Sequence, residues 1–435
     1  MKIKLNTLVF FVIILLAIYQ DFPLVNVFGE IARSPIVFIA LPMLVYLVLQ
    51  SKVVLSRYTQ YYLLYVTYLI LITLIFLPIV YFQNKSVLVL NENIVIKSIK
   101  LLAYPTVILI FYQFVLTFFS RSKDSFDSFF NALFFIQILL TIFLFFEVIF
   151  LKKNTLFASF LHADDIKYYR VRLLTHEESW IGTVLTFFVF VPIFMVNYLQ
   201  KSNALKKKVY LISSFIFLYY ILFSESKGFL LLVLVSILPM SLRYLFHNGT
   251  IRKNLLISIP ILIVIVFFVL FILKQNIEEQ FNSSITFGTR FTSYLASLKV
   301  FIEHPFGVGW GGFIYYYPEA IRDIINSSWV STLNLQEVKG YLKTTEALST
   351  KTDFFDNLVY GGAASIYFYF HFFIKRYFYF SKSSNSNMFF IKVPLVFSIL
   401  AGFIYITYYI KYEVWLLMAF LDALQSRMTN REIEL

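Results

Sequence analysis

Apolar runs divide the chain near residues 5–20, 31–50, 60–82, 95–119, 126–151, 178–199, 208–223, 228–246, 254–274, 356–378, 391–409 and 412–425. A crossing of the hydrocarbon core takes roughly 20 apolar residues, so the pattern predicts about twelve membrane spans. Lipid offers no partner to a backbone amide, and each span should therefore be a helix. The stretches 208–246 and 391–425 each hold two spans with little between them. The first run, Leu5 to Tyr19, follows Met1-Lys2-Ile3-Lys4. Gln20-Asp21-Phe22-Pro23 then supplies no small-residue cleavage pattern, so a retained span is expected rather than a signal peptide.

The polar segments between the runs alternate in character. One set carries Lys2 and Lys4, Lys52 and Arg57, Arg121 and Lys123, Lys201 with Lys206-Lys207-Lys208, Arg243 with Arg252-Lys253, Lys375-Arg376 with Lys382 and Lys392, and finally Arg427 and Arg431. The opposite set has short loops poor in cations, such as Asn26 to Arg33 and Tyr409 to Glu413. Short basic loops stay on the cytoplasmic side, which places both termini there. Two outer segments are long, from about Lys152 to Glu178 and from about Gln275 to Phe355. The expected organisation is a membrane bundle over 1–274 with outer loop 152–178, a long extracytoplasmic loop over 275–355, and C-terminal spans with a cytoplasmic tail over 356–435.

Composition excludes a soluble protein. Of 435 residues, 60% are hydrophobic and 14% charged, and mean hydropathy is +0.77. A soluble domain carries about 25% charged residues. The absence of Cys removes disulfides, thiolate metal sites and Cys nucleophiles. The net charge of +13 would suggest nucleic acid in a soluble protein, but here many cations are topological. No cytoplasmic loop is large enough for an ATPase or a nucleotide-sugar domain, and no phosphate-cradling glycine motif is present. Any chemistry is expected on the outer face, with its energy brought by the substrate.

Four constellations carry candidate chemistry. In Arg170-Val171-Arg172-Leu173-Leu174-Thr175-His176-Glu177-Glu178-Ser179-Trp180, two arginines precede a His and two carboxylates. Arginine matches diphosphate oxygens with a planar fork of donors, and a nearby carboxylate can take a proton from a sugar hydroxyl. The alternative is a solvated helix start capped by Ser179 or Glu178. Ser224-Glu225-Ser226-Lys227-Gly228 splits a long apolar stretch on the outer side. Lys227 is either a ligand-binding cation or a lysine snorkelling from a tight turn. Gly288-Thr289-Arg290-Phe291 leads to His304-Pro305-Phe306-Gly307-Val308-Gly309-Trp310-Gly311-Gly312, with Arg290 about four helical turns before His304. That spacing predicts an amphipathic helix ended by His304-Pro305. The glycines allow close approach of backbone to a ligand or to another helix. Lastly, Asp353-Phe354-Phe355-Asp356-Asn357 closes the long outer segment before Gly361-Gly362. Asp356 and Asn357 either cap a helix or hold and deprotonate an acceptor sugar.

Two features weigh less. His162-Ala163-Asp164-Asp165 has metal-ligating residue types, but a solvated loop is the expected reading. Trp310, Trp329 and Tyr315-Tyr316-Tyr317 suit either sugar stacking or an interfacial belt.

Together these motifs resemble the bacterial O-antigen polymerase and O-antigen ligase superfamily over most of the chain. An Arg-rich loop ending in a Glu-Pro-Ser-like element is similar to Arg170 to Ser179, with Trp180 departing from the usual order. A Ser-Arg-Gly-like element is similar to Ser226-Lys227-Gly228, with Lys in place of Arg. Arg290 with His304 to Gly309, and Asp356-Asn357 with Gly361, complete the pattern. The resemblance implies an all-α, polytopic bundle of the GT-C-like, lipid-donor glycosyltransferase type, independent of metal and without a cofactor. It implies a lipid-linked donor and acceptor on undecaprenyl diphosphate at the outer face of the bacterial inner membrane. A chain-length regulator and a flippase are the protein partners it suggests, with membrane lipid around the bundle and no nucleic acid. Arg170, Arg172, Glu177, Glu178, Arg290 and Asp356 are the catalytic candidates, and Lys227, His304, Asn357 and Ser179 the substrate-binding ones. Family ligases place a His as candidate base near the end of the long loop, where this chain has Asp353, Asp356 and Asn357. That favours a polymerase over a ligase acting on lipid A core. A lipid-linked glycan transporter is the rival class. It should show internal halves and midplane polar residues; no repeat is visible, and Glu147 is the main charge within a span.

Overall fold

The computed structural model describes residues 4–50, 53, 55–122, 124–149, 161–163, 171–223, 226–247, 284–330, 332–344, 348–383 and 385–433. They form a helical bundle. We label its main helices α1 (Leu5–Ile18), α2 (Ile36–Leu49), α3 (Arg57–Asn84), α4 (Ile94–Arg121), α5 (Ser125–Ile149), α6 (Ile181–Tyr198), α7 (Asn203–Phe223) and α8 (Lys227–His247). After residues 248–283 follow α9 (Ile285–Glu303), α10 (Gly309–Ile325), α11 (Asp353–Gly361), α12 (Ala363–Tyr369), α13 (Lys375–Lys382), α14 (Phe389–Ile404) and α15 (Tyr412–Ile433). A two-stranded hairpin pairs Leu88–Val89 with Glu92–Asn93 between α3 and α4.

The helices arise where the apolar runs predict them, and their ends are set by local chemistry. Ser56 caps α3 by accepting from the Thr59 amide at 3.0 Å, and Asn93 caps α4 by accepting from the Val95 amide at 2.9 Å. Among the described residues, five helices are long and apolar enough to cross a membrane: Arg57–Asn84, Ile94–Arg121, Ser125–Ile149, Ile181–Tyr198 and Ser386–Ile404. This is an integral membrane protein of all-α class. α1 and α2 occupy two further expected spans with 14 residues each. The expected span at 254–274 lies outside the described residues.

Two regions depart from the simplest reading of the pattern. The apolar run 356–378 is not one continuous helix. It breaks at Gly362, whose φ is +54°, and passes through a π-turn at Phe370–Ile374 before α13. And the long segment before it contains α9 and α10, with α10 packed along α3 and α4. The glycines explain that packing. A Cβ on Gly309 (φ +63°) would lie 2.6 Å from the Thr73 Cα, and one on Gly311 2.7 Å from a Leu77 methyl. Gly307 abuts the backbone of Tyr360 and Gly361, and Gly362 abuts that of Pro305 and Gly307. Of the two uses open to these glycines, the fold adopts close contact between chain segments.

Candidate functional site

Three loops meet at one end of the bundle: residues 19–35 after α1, residues 171–180 before α6, and residues 405–411 between α14 and α15. Gln20 donates its backbone N–H to the Leu174 carbonyl at 2.9 Å and forms a parallel bridge with Thr175.

Asp21 is the centre of an ionic cluster that the sequence does not announce. It is fully buried. Arg33 Nη1 donates to its carboxylate at 2.9 Å, and His162 Nδ1 lies 2.8 Å away. His176 Nδ1 stands at 3.3 Å and Arg172 Nη1 at 3.5 Å. Burial by itself would raise the affinity of Asp21 for a proton. The His162 and His176 hydrogen bonds outweigh it and hold the carboxyl well below the usual range. Burial pushes the His162 imidazole down, partly offset by Asp21. His162 is thus a buried partner of Asp21 and not the solvated residue expected; Asp164 and Asp165 lie outside the described residues.

Arg172 is fixed from two directions. Its own amide donates to Glu147 Oε1 at 2.8 Å, and the Leu173 amide donates to Glu147 Oε2 at 3.0 Å. Its side chain donates to the His176 carbonyl at 3.0 Å. Leu173 has φ +48°, a conformation costing a non-glycine residue about 1–2 kcal/mol. Glu147, the main charge read within a span, therefore stabilises a strained turn. Of the neighbouring candidates, Glu177 is exposed and accepts from the Ser179 hydroxyl at 3.2 Å. Arg170 and the Glu178 side chain lie outside the described residues.

Beside this turn, Lys411 is buried completely. Its ammonium donates to Gln20 Oε1 at 2.6 Å and to the Trp180 carbonyl at 2.9 Å, and lies 3.8 Å from Glu413. Glu413 in turn accepts from Gln20 at 2.5 Å and from Thr183 at 2.6 Å. In the sequence, Tyr409 to Glu413 reads only as a short loop poor in cations. A Lys and a Glu two residues apart at the edge of an apolar run are the signal that marks them.

The same loop reaches the other candidates. The Asp353 amide donates to the Ile406 carbonyl at 2.8 Å, and the Tyr408 amide donates to Asp353 Oδ1 at 2.9 Å. One helical turn on, Asp356 is buried and accepts from the Thr350 amide at 2.8 Å. Asn357 donates to the Asp353 carbonyl at 2.8 Å and accepts from the Tyr65 hydroxyl at 2.9 Å. A cavity of about 30 Å³ beneath them is lined by Tyr65, Trp310, Asp353, Asn357, Tyr408 and Trp415, room for about one water. At the start of the loop, the Arg290 guanidinium lies 5.6 Å from the centre of the Tyr405 ring. Among the described residues, no carboxylate lies within ion-pair distance of Arg290.

Other expectations resolve differently. His304 follows the end of α9 as the spacing predicts, and packs between Phe76 and Tyr316 at ring distances of 5.7 and 4.5 Å. Burial lowers its pKa, with Glu303 opposing. Trp310 and Tyr317 are core residues and not an open stacking platform. The Lys227 side chain lies outside the described residues. The start of its helix is located by Phe229, which packs on Gly182 near the Tyr405 hydroxyl.

An apolar helical bundle with buried and half-buried cations gathered at one end defines a polytopic membrane protein. Residues 212–332 match the family model described as O-antigen ligase, which supports the O-antigen polymerase and ligase superfamily. The matched segment includes Lys227, Arg290, His304 and the glycines of α10, and leaves Arg172 and Asp356 outside it. No curated protein matches the chain.

Proposed function

We propose that the protein is an O-antigen or capsular polysaccharide polymerase. It moves a glycan from undecaprenyl diphosphate to a lipid-linked repeat unit at the outer face of the inner membrane. The acceptor hydroxyl oxygen forms the new bond to the anomeric carbon as the bond from that carbon to the diphosphate breaks. The hydroxyl proton passes to a carboxylate, with the exposed Glu177 or the buried Asp356 in that role. The diphosphate departs with an added negative charge. Preorganised cations at a developing charge are usually the largest catalytic contribution.

Arg290 carries this reading. It lies within the family-matched segment, is half-buried, and faces an aromatic ring where the Arg172 side chain faces the Asp21 carboxylate. A lipid diphosphate supplies the anion that no carboxylate among the described residues provides at this guanidinium. Arg170, Arg172 and Lys227 are the further cations in the proposed site, with Asn357 and Ser179 as polar contacts for sugar. Replacing Arg290 with Ala should abolish long-chain glycan while protein still reaches the membrane, a loss of about 10²–10³ in rate. Arg290→Lys should rescue little, because a point charge lacks the bidentate fork. His304→Ala should retain polymer, since that ring packs between two aromatics. The measurement is a chain-length ladder from cells carrying each variant at matched expression, and a full ladder from Arg290→Ala overturns the assignment. Ligation to lipid A core uses the same bond chemistry, and is distinguished by long glycan appearing on core in place of lengthened lipid-linked chains.

A further inference from the structure

The turn that carries Arg172 is gripped by two carboxylates from distant parts of the chain. Glu147 comes from the end of α5 and takes two consecutive backbone amides, those of Arg172 and Leu173, at 2.8 and 3.0 Å. Asp21 comes from the loop after α1 and stands 3.5 Å from the Arg172 guanidinium. Asp21 already accepts short hydrogen bonds from Arg33 and His162. It stands beside Arg172 and acts on that side chain by charge. Glu147 offsets the strain at Leu173 and so fixes where the Arg172 side chain leaves the backbone. A carboxylate within a membrane span is expensive unless it has a specific task, and two buried main-chain donors define that task here.

We propose that Asp21 and Glu147 are positioning residues, a two-point clamp that holds Arg172 in the orientation needed to meet the charge developing on the departing diphosphate. The clamp rests on the functional reading above, in which Arg172 is one of the site's cations. It acts through preorganisation: misplacing a reacting or stabilising group by about 1 Å can cost about 10²-fold in rate.

The test uses the full-length protein in membranes supplied with undecaprenyl-diphosphate-linked repeat units. Asp21→Asn and Glu147→Gln preserve side-chain size and remove the anion. Each should lower the rate at saturating donor by about 10²-fold with little change in the donor concentration giving half-maximal rate. Combined with Arg172→Ala, neither should lower the rate per folded protein further, because the catalytic effect of the clamp passes through that residue. Hydrogen exchange at the Arg172 and Leu173 amides should accelerate in Glu147→Gln. A merely structural role gives instead a loss that adds to that of Arg172→Ala and follows the drop in folded protein. That result, or full activity in both carboxylate variants, overturns the clamp while leaving Arg172 in place. Full activity in Arg172→Ala overturns the role of Arg172 itself, and the clamp with it.

Discussion

Lys411 donates a hydrogen bond to the main-chain oxygen of Trp180 at 2.9 Å, while its ammonium stands 4.7 Å from the centre of that residue's indole ring. One lysine thereby joins the loop before α15 to the loop before α6. The first of these loops also holds Asp353 through Tyr408 and meets Arg290 through Tyr405. Trp180, Arg290 and Asp353 are thus tied to a single stretch, 405–411.

Lys411 should make stability depend on pH. Burial drives its pKa down from 10.5 to about 7, against the attraction of Glu413 and Glu177. Between those values the unfolded chain binds the proton and the folded chain releases it, so stability rises with pH across this window. Below about 7 both states are protonated and the dependence vanishes. The unfolding midpoint of the wild type in detergent, relative to that of Lys411→Met, should climb from pH 7 to pH 10. A flat difference would show that the folded lysine keeps its proton.

Arg376 should be a structural cation. Its guanidinium donates to Asp422 at 3.0 Å and to the Tyr112 hydroxyl at 2.7 Å, and lies 3.8 Å from the Tyr58 ring centre, with no exposed surface. Removing one partner strands the other charge, at about 3–5 kcal/mol, whereas replacing both with apolar residues is far milder. Arg376→Met should therefore lower the yield of folded protein on size exclusion, and Arg376→Met with Asp422→Leu should recover much of it.

Glycine substitutions should separate packing from ligand approach. Gly362 has φ +54° and touches the backbone of Pro305 and Gly307, whereas a Cβ on Gly340 would meet nothing within 4 Å. Gly362→Ala should disrupt folding. Gly340→Ala should shift stability by no more than about 0.5 kcal/mol. Both are read from the thermal midpoint of the purified protein, and equal midpoints would contradict the packing role of Gly362.

Topology follows from the alternation of Lys and Arg. Reporter fusions at Lys207 and Arg252 should read cytoplasmic, and those at Lys167 and Asn334 external. External activity at Lys207 would move the Arg172, Arg290 and Asp353 elements to the other face of the membrane.

The helical class, the membrane setting and the position of most helices are legible in the sequence, because hydrophobic run length is a local property. The end of α9 at His304-Pro305 is legible too, because proline disfavours helical backbone at the residue before it, even though Pro78 and Pro105 lie inside α3 and α4. What tertiary structure alone decides is the partner of each charge. Arg376 sits in a basic segment and reads as a topological signal, yet it is buried against Asp422, 46 residues away. Asp21 and His162 look like loop residues, yet they pair across 141 positions. Nothing local marks such pairs, because the energy that selects them is the cost of burying a charge alone, and that cost exists only once the helices have packed. The glycines of α10 show the same division. Their spacing predicts close approach, but whether a ligand or a helix fills the space depends on Thr73 and Leu77, which reach them only in the folded bundle.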